Sequence, residues 1–207
     1  MIVDDHAIVR EGLKQILADT DDIVVAGEAE NGLEAIRLAR KQHADVLLLD
    51  ITMPDKNGIE VLKQIHKEKP DLAVLMLSMH REDQYAIRSL KAGAVGYLNK
   101  QSAPNELVKA IRLVASGNKY ISPALAQELA RHVATKDTIA PHESLSDREF
   151  QTLLMIASGK SVSDIASELS LSVKTVSEYR TRLLSKMNMK NNAELMHYAI
   201  RLNLVSD

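Results

Sequence analysis

Several residue types are scarce or missing from this sequence of 207 residues. The chain has no cysteine, which excludes a disulfide framework, thiolate catalysis and cysteine-based zinc sites. Tryptophan is absent and there is one phenylalanine, so the core must be aliphatic. No apolar run reaches the roughly 18 to 20 residues of a bilayer span, and the start lacks the basic and apolar regions of a signal peptide. We therefore expect a cytoplasmic protein that does not contact a membrane.

The remaining composition is typical of a globular protein, with 45% hydrophobic and 26% charged residues. The net charge of −2 is nearly balanced, and neither half of the chain is basic enough to indicate nucleic-acid binding by itself. Any argument for DNA binding must therefore come from a motif.

Strand-like and helical segments alternate in the N-terminal part of the chain. Short apolar runs lie at residues 1–3, 23–26, 46–49, 73–77 and 95–98. The stretches between them have a helical period, for example at Leu107, Ala110, Ile111 and Val114. Five strand–helix units predict a flavodoxin-like, doubly wound α/β domain with a five-stranded parallel sheet over residues 1–121.

The strand pattern disappears from residue 122 onward. Ser122 followed by Pro123 indicates a helix start, and we expect this helix to end near Ala134. Residues 135–143 lack periodicity and are predicted to be flexible, so that residues 122–144 form a linker helix and a flexible linker.

A second domain is predicted over residues 145–207. Ser146 and Glu149 have the spacing of a capping box that begins a helix. Three more helical segments follow, separated by short polar turns. The pattern predicts an all-α domain of four helices.

Polar side chains lie at the predicted carboxyl ends of four strands: Asp4, Asp5, Asp50, Ser78 and Lys100. In a sheet of order 2-1-3-4-5 the first and third strands are neighbours, so the three carboxylates converge. Their repulsion is relieved by a divalent cation that prefers oxygen ligands, such as Mg²⁺. Each residue alone has a structural explanation as a helix cap, a turn residue or a solvated charge. Their joint placement instead favours phosphoryl transfer to Asp50, with Lys100 neutralising charge.

Three segments of this part resemble receiver domains of NarL/FixJ-type two-component response regulators. They are Val3-Asp4-Asp5-His6, Leu49-Asp50-Ile51-Thr52-Met53-Pro54 and Ala92-Gly93-Ala94-Val95-Gly96-Tyr97-Leu98-Asn99-Lys100. The resemblance implies that a histidine kinase phosphorylates Asp50. It also implies Mg²⁺ or Mn²⁺ held by Asp5, Asp50 and the Thr52 carbonyl, with Asp4 supporting.

The same resemblance implies that Ser78 and Tyr97 form a switch pair, in which Tyr97 turns inward after phosphorylation. By its strand position alone, Tyr97 would be a half-buried aromatic residue. Only three residues precede Asp4, where family members usually have a few more. A start upstream of Met1 is therefore a further expectation, since the first strand is at the short limit of strand length.

A second motif consists of Leu145-Ser146-Asp147-Arg148-Glu149, Ile165-Ala166-Ser167-Glu168-Leu169 and Ser172-Val173-Lys174-Thr175-Val176. With it, residues 146–200 resemble LuxR-type output domains, which contain a helix-turn-helix. The first helix, at residues 161–169, buries Ile165, Ala166 and Leu169, and the second begins after Ser172. The predicted buried stripe of the second helix is Val176, Leu183, Leu184 and Met187. Without the motif, an amphipathic surface helix would be the simpler interpretation.

The opposite face of the second helix is predicted to enter the major groove of double-stranded DNA. The predicted phosphate contacts are Lys174, Thr175, Tyr179, Arg180 and Lys186. The predicted base contacts are Ser177, Glu178 and Thr181, where Glu178 could accept a hydrogen bond from cytosine N4.

The last helix is predicted to close the four-helix core. The resemblance implies that one face of it, with Leu195, Met196 and Ala199, also pairs two output domains.

We therefore predict a transcription regulator whose dimerisation and DNA binding are controlled by phosphorylation of Asp50. It is not an enzyme beyond its own phosphoryl transfer and dephosphorylation. Segments 179–186 and 191–195 resemble the GacA/UvrY-like subgroup most. One alternative is a constitutive DNA-binding dimer, which the intact acidic set disfavours. The other is an aspartate-dependent phosphatase, which would need a second acid two residues after Asp50, where Thr52 stands.

Overall fold

The computed structural model describes residues 1–79, 82–134 and 140–205. Two compact units make up the chain, residues 1–131 and residues 132–207. The predicted linker residues 135–139 lie outside the described part of the chain.

A five-stranded parallel sheet lies at the centre of the first unit, with strand order β2-β1-β3-β4-β5. The strands are β1 (Ile2–Val3), β2 (Glu28–Ala29), β3 (Val46–Asp50), β4 (Ala73–Ser78) and β5 (Gly96–Asn99). All five residues of β3 are buried, as expected for a central strand of a parallel sheet covered on both faces. The predicted doubly wound, flavodoxin-like fold is confirmed.

Six helices lie within the described part of residues 1–134. They are α1 (Ala7–Ala18), α2 (Gly32–Lys41), α3 (Gly58–Glu68), α4 (Glu82–Lys91), α5 (Pro104–Ala115) and α6 (Pro123–Ala134). Helix α5 buries the predicted stripe of Leu107, Ala110, Ile111 and Val114 against strand residues such as Leu48 and Leu75. Helix α6 begins and ends where predicted, and the Ser122 hydroxyl caps it by accepting the Leu125 N–H at 3.0 Å.

The second strand lies further along the chain than predicted. We expected it at residues 23–26, but Glu28 and Ala29 are the residues that pair with β1. Strand β1 has only two residues, and residues 23–26 lie beyond the amino end of its ladder. Val24 is accordingly 86% exposed. The prediction was wrong because an apolar run forms a strand only where a neighbouring backbone can pair with it.

Four α-helices and a 3-10 turn form the described part of the second unit. They are the turn Pro141–Ser144 and helices α7 (Asp147–Ala157), α8 (Val162–Glu168), α9 (Val173–Met187) and α10 (Asn192–Arg201). Capping boxes begin α7 at Ser146 and α8 at Ser161, and the Ser172 hydroxyl accepts the Thr175 N–H at the start of α9. Each cap satisfies a backbone N–H that has no partner within its helix.

The helix-turn-helix buries all but one of the side chains that its periodicity predicted to be buried. Ile165, Ala166 and Leu169 of the first helix are buried, as are Val176, Leu183 and Met187 of α9. Leu184 is the exception, because it remains partly exposed.

The turn Pro141–Ser144 falls among residues that were predicted to be flexible. The His142 Nδ1 lies 2.7 Å from the Tyr198 hydroxyl of α10, and the His142 ring stacks on Phe150 of α7 with centroids 5.9 Å apart. These contacts attach the turn to the second unit. Periodicity could not reveal them, since the partners are distant in sequence.

Candidate functional site

The carboxylates at the ends of β1 and β3 meet around one lysine. Asp4 follows β1, and Asp50 is the last residue of the neighbouring strand β3. The Lys100 Nζ lies 2.6 Å from Asp4 Oδ2 and 2.9 Å from Asp50 Oδ1. Asp4 and Asp50 are almost completely buried. The predicted convergence of these groups is therefore present in the structure.

Asp50 has one engaged and one unengaged carboxylate oxygen. Its Oδ1 accepts the Ile51 N–H at 2.8 Å in addition to the contact with Lys100. Its Oδ2 is buried and has no hydrogen-bond partner among the described residues. Burial raises the pKa of Asp50 to about 7; Lys100 opposes this rise, and the charges of Asp4 and Asp5 add to it. An exogenous group that contacts Oδ2 would meet no competing donor from the described chain.

Lys100 remains strongly cationic in this pocket. Burial alone would lower its pKa, but Asp50 and Asp4 outweigh that effect and raise the pKa above its ordinary value. Ser78 is fully buried at the end of β4, and its carbonyl accepts the Lys100 N–H at 2.8 Å. The pairing of β4 with β5 thus places the Ser78 backbone next to the Lys100 backbone.

A tight loop follows Asp50 and contains Thr52, which is partly buried. Gly58, the first residue of α3, closes this loop against β3. A Cβ at Gly58 would lie 2.0 Å from the Asp50 carbonyl oxygen, so a side chain cannot be accommodated there. Within the loop, the Asp55 carboxylate accepts the Gly32 and Leu33 N–H groups, each at 2.9 Å. These contacts fix the loop that was predicted to supply the Thr52 carbonyl.

His6 was not among the predicted site residues, although it follows Asp4 and Asp5 directly. Its Nδ1 lies 2.8 Å from Asp5 Oδ1 and 3.4 Å from Asp4 Oδ1. Asp4, Asp5 and His6 each offer one potential metal-ligand atom, and these atoms lie within 4.8 Å of one another. The signal that could have identified His6 is its position at the carboxyl end of β1.

The residues of the pocket fit a hard divalent cation. Mg²⁺ and Mn²⁺ prefer carboxylate and carbonyl oxygens. The unpartnered Asp50 Oδ2 and the neighbouring Asp4 and Asp5 carboxylates are donors of that type.

Tyr97 of the predicted switch pair is more deeply buried than its strand position alone predicted. Its side chain is completely buried, opposite Met76 in the β4–β5 ladder. The predicted half-buried aromatic is therefore wrong for this structure.

The predicted DNA-facing side of α9 is largely exposed. Lys174, Ser177, Glu178 and Thr181 all lie on the surface, and Thr175 is partly buried beneath its contact with the Ser172 hydroxyl. Lys174 makes no ion pair within the described part of the chain. Glu178 is paired with Arg182 at 3.7 Å, an exposed contact between adjacent turns.

Arg180 and Lys186 of α9 contact neighbouring helices. The Arg180 Nε donates to the Asn192 Oδ1 of α10 at 2.6 Å, and Tyr179 is partly buried. The Lys186 Nζ lies 2.6 Å from Glu149 Oε2 in the capping box of α7. Lys186 was predicted to contact phosphate, but the structure engages its ammonium group in an intramolecular ion pair instead.

Two of the three residues predicted to pair output domains are not available for such a contact. Leu195 and Ala199 are 0% exposed because α10 packs them against the helical core. Met196 is partly exposed, and Ile200 is a large apolar residue of this helix that is exposed. The prediction for Leu195 and Ala199 is corrected: they close the core.

A parallel α/β unit with an acidic pocket, followed by a helix-turn-helix unit, defines a class of signalling protein that regulates transcription. Residues 1–112 match the response regulator receiver domain family, and residues 143–199 match the luxR family of bacterial regulatory proteins. The chain belongs to the response regulators of the NarL/FixJ family, with a receiver domain and a LuxR-type DNA-binding domain.

Characterised relatives match this chain over nearly its whole length. It is 42% identical to the response regulator UvrY of Escherichia coli, over 99% of this chain and 94% of that protein. It is 39% identical to the response regulator GacA of Pseudomonas aeruginosa, over 99% of this chain and 96% of that protein. The predicted resemblance is confirmed.

Solved structures of the RcsB response regulator from Salmonella typhimurium share the architecture. One matches with a TM-score of 0.69 and 29% identity over 95% of this chain and 94% of that chain. Another, bound to a promoter in the presence of the phosphomimetic BeF3⁻, matches with a TM-score of 0.65 and 28% identity over 95% of both chains. Within the described residues, no helix is long and apolar enough to cross a membrane.

Proposed function

We propose that Asp50 is the phosphoacceptor of this response regulator and that its phosphorylation raises the DNA affinity of the second unit. The observation that carries the proposal is the buried, unpartnered Asp50 Oδ2 beside the Lys100 ammonium. A nucleophilic oxygen needs a free lone pair and a nearby positive charge to receive a phosphoryl group.

The pocket residues divide the phosphoryl-transfer chemistry between them. The Asp50 Oδ2 forms the new bond to phosphorus as the bond from phosphorus to the histidine nitrogen of the kinase breaks. Lys100 and the Ser78 hydroxyl contact the phosphoryl oxygens. Asp5, Asp50 and the Thr52 carbonyl, with Asp4 supporting, would hold a Mg²⁺ or Mn²⁺ ion, which would supply further positive charge there. The same groups allow the chain to catalyse its own dephosphorylation, which is the extent of its enzymatic activity.

The output is recognition of double-stranded DNA by a homodimer. The promoter complex of RcsB with BeF3⁻ supports this part of the proposal, because a related chain binds DNA with a phosphoryl analogue present. The exposed face of α9 supplies the contacts: Lys174 to phosphate, and Ser177, Glu178 and Thr181 to base edges. Tyr179, Arg180 and Thr175 contribute at the edges of this surface.

Binding of the full-length protein to DNA tests the proposal. Sequences are first selected from a pool of randomised duplexes, and affinity is then measured with Mg²⁺ in the presence and absence of beryllofluoride. We expect beryllofluoride to raise the affinity of the wild type and of the control Asp71→Asn, an exposed carboxylate far along the chain from the pocket. Asp50→Asn should not respond. A response of Asp50→Asn equal to that of the wild type would contradict the proposal.

A further inference from the structure

Three exposed side chains form one stripe along α9. Val173, Ser177 and Thr181 are spaced by four residues, so they lie above one another on one helix face. Val173 is the first residue of α9 and is 53% exposed. The N-terminal residues of a recognition helix are the ones that reach base edges. This stripe therefore begins with an apolar side chain where a polar one would usually read a base.

Thr181 adds a second apolar group to the same stripe. Its hydroxyl donates a hydrogen bond to the Ser177 carbonyl at 2.9 Å. A hydroxyl that is bonded back to its own helix is not directed at a base. The γ-methyl is therefore the group of this exposed side chain that can contact a base.

The stripe lacks the side chains that read guanine or adenine in bidentate fashion. Those are arginine, lysine, asparagine and glutamine, and none of them occurs at positions 173, 177 or 181. The neighbouring Arg182 pairs with Glu178, and Arg180 donates to Asn192. In the major groove, the one apolar group that a base presents is the C5 methyl of thymine.

We propose that Val173 and Thr181 recognise thymine methyl groups, so that methyl contacts determine part of the sequence preference. A single exposed valine is ordinary on a protein surface. Two methyl-bearing groups on the groove-facing stripe, at positions without bidentate donors, are what point to thymine.

The helix geometry also gives the spacing of the two contacts. The inference rests on the proposed function, since it requires α9 to enter the major groove. Residues 173 and 181 are separated by about 12 Å along the helix axis. Because the helix lies along the major groove, which is inclined to the DNA axis, this spans at most three to four base-pair steps of about 3.4 Å. Each half-site therefore contains two thymines that lie a few base pairs apart.

Replacing thymine by uracil tests the proposal, because it removes the C5 methyl and leaves the hydrogen-bonding groups of the base unchanged. Full-length protein with Mg²⁺ and beryllofluoride is used to select duplexes from a randomised pool. Each thymine of the selected half-site is then replaced singly by uracil. We expect two of these replacements to weaken wild-type binding about fourfold each, since burial of one methyl-sized group corresponds to about 0.8 kcal/mol.

Two conservative variants assign each contact to its residue. Val173→Ala should abolish the sensitivity to uracil at one of the two positions and retain it at the other. Thr181→Ser keeps the hydroxyl and its bond to Ser177, so it should abolish the sensitivity at the second position only. Val24→Ala, which shortens an exposed valine of the first unit, should behave as the wild type at both.

The possible results separate this inference from the proposed function. Selected half-sites without thymine, or wild-type binding that tolerates uracil at every position, would overturn the methyl contacts while DNA recognition itself stands. Uracil sensitivity that persists at both positions in both variants would assign the contacts to other residues and also refute the proposal. A failure to enrich any sequence, with Lys174→Ala binding as tightly as the wild type, would overturn the DNA-binding role of α9 and this inference with it.

Discussion

At the scale of single residues, the two carboxylate oxygens of Asp50 differ in the contacts that they make. One oxygen is held by Lys100 and the Ile51 N–H, whereas the other has no partner among the described residues. A buried carboxylate oxygen without a hydrogen bond costs free energy. Such a cost is tolerated where a transient ligand supplies the missing contacts.

Asp50→Asn should abolish labelling by a small-molecule phosphodonor such as radioactive acetyl phosphate. The amide has the same shape as the carboxyl group but is a poor nucleophile, so the fold should be retained. Labelling is measured with Mg²⁺ present, and circular dichroism checks the fold. Undiminished Mg²⁺-dependent label on this variant would reject Asp50 as phosphoacceptor, provided that the matched variant Asp71→Asn is labelled like the wild type.

The ion pair of Glu149 with Lys186 has a testable effect on stability. Burial alone would raise the pKa of Glu149, but hydrogen bonds from Lys186 and Ser146 outweigh it and lower the pKa below its ordinary value. A carboxylate with a lowered pKa stabilises the folded state above its ordinary pKa. That stabilisation is lost as the pH falls through the folded-state pKa.

Lys186→Met should therefore destabilise the second unit by about 1 kcal/mol at neutral pH, a modest value because the lysine is partly exposed. The difference in stability between the variant and the wild type should decrease as the pH falls below the ordinary pKa of glutamate. Scanning calorimetry at neutral and acidic pH measures this. Lys160→Met removes a more exposed pair with Glu168 and should have a smaller effect. A difference that is unchanged by acid would show that lost packing, rather than the ion pair, is responsible.

At the scale of secondary-structure elements, two lysines of the recognition helix differ in their contacts. Lys174 lies on the surface without an ion pair in the described part of the chain, whereas Lys186 is bound to Glu149 of α7. Both were predicted from the sequence as phosphate contacts. Only a cation that is free to contact the DNA backbone displaces counterions on binding.

Lys174→Ala should lower the slope of log affinity against log salt by about 1 unit and weaken binding to all sequences alike. Lys186→Met should leave the slope nearly unchanged, since its charge is already neutralised by Glu149. Fluorescence anisotropy with one selected and one unrelated duplex over a salt series distinguishes the two variants. Equal slope changes for both would mean that the Glu149 pair opens when DNA binds.

At the scale of the whole molecule, phosphorylation in one unit must change DNA binding by the other. A ligand shifts a two-state equilibrium only by its differential affinity for the two states. The predicted switch is an inward rotation of Tyr97 upon phosphorylation, and the Tyr97 ring is completely buried in the structure. Dimerisation of the receiver remains a route that does not depend on this rotation, since it raises the effective concentration of the second output domain.

Beryllofluoride should therefore lower the dimer dissociation constant of the full-length protein, measured by sedimentation with Mg²⁺. The first unit alone, residues 1–131, should show the same change. Asp50→Asn serves as the unresponsive control. Self-association that is unaffected by beryllofluoride, in a protein whose DNA affinity still increases, would exclude dimerisation and favour the release of an intramolecular contact.

Much of this protein was predictable from the sequence, because the signals involved are local or periodic. The helix caps at Ser146 and Ser172 depend on residues three positions apart. Strand-end residues of a parallel sheet meet at one edge, so Asp4, Asp50 and Lys100 could be brought together once the strand order was inferred.

The tertiary structure alone decided the features that depend on distant partners. Strand β2 forms at Glu28 because only two residues of β1 are available for pairing. Lys186 is committed to Glu149, and Leu195 and Ala199 are enclosed by the core, because other helices pack against theirs. A sequence pattern shows which face of an element is apolar or charged. It does not show which neighbour satisfies that face, because burial and pairing are properties of two surfaces in contact.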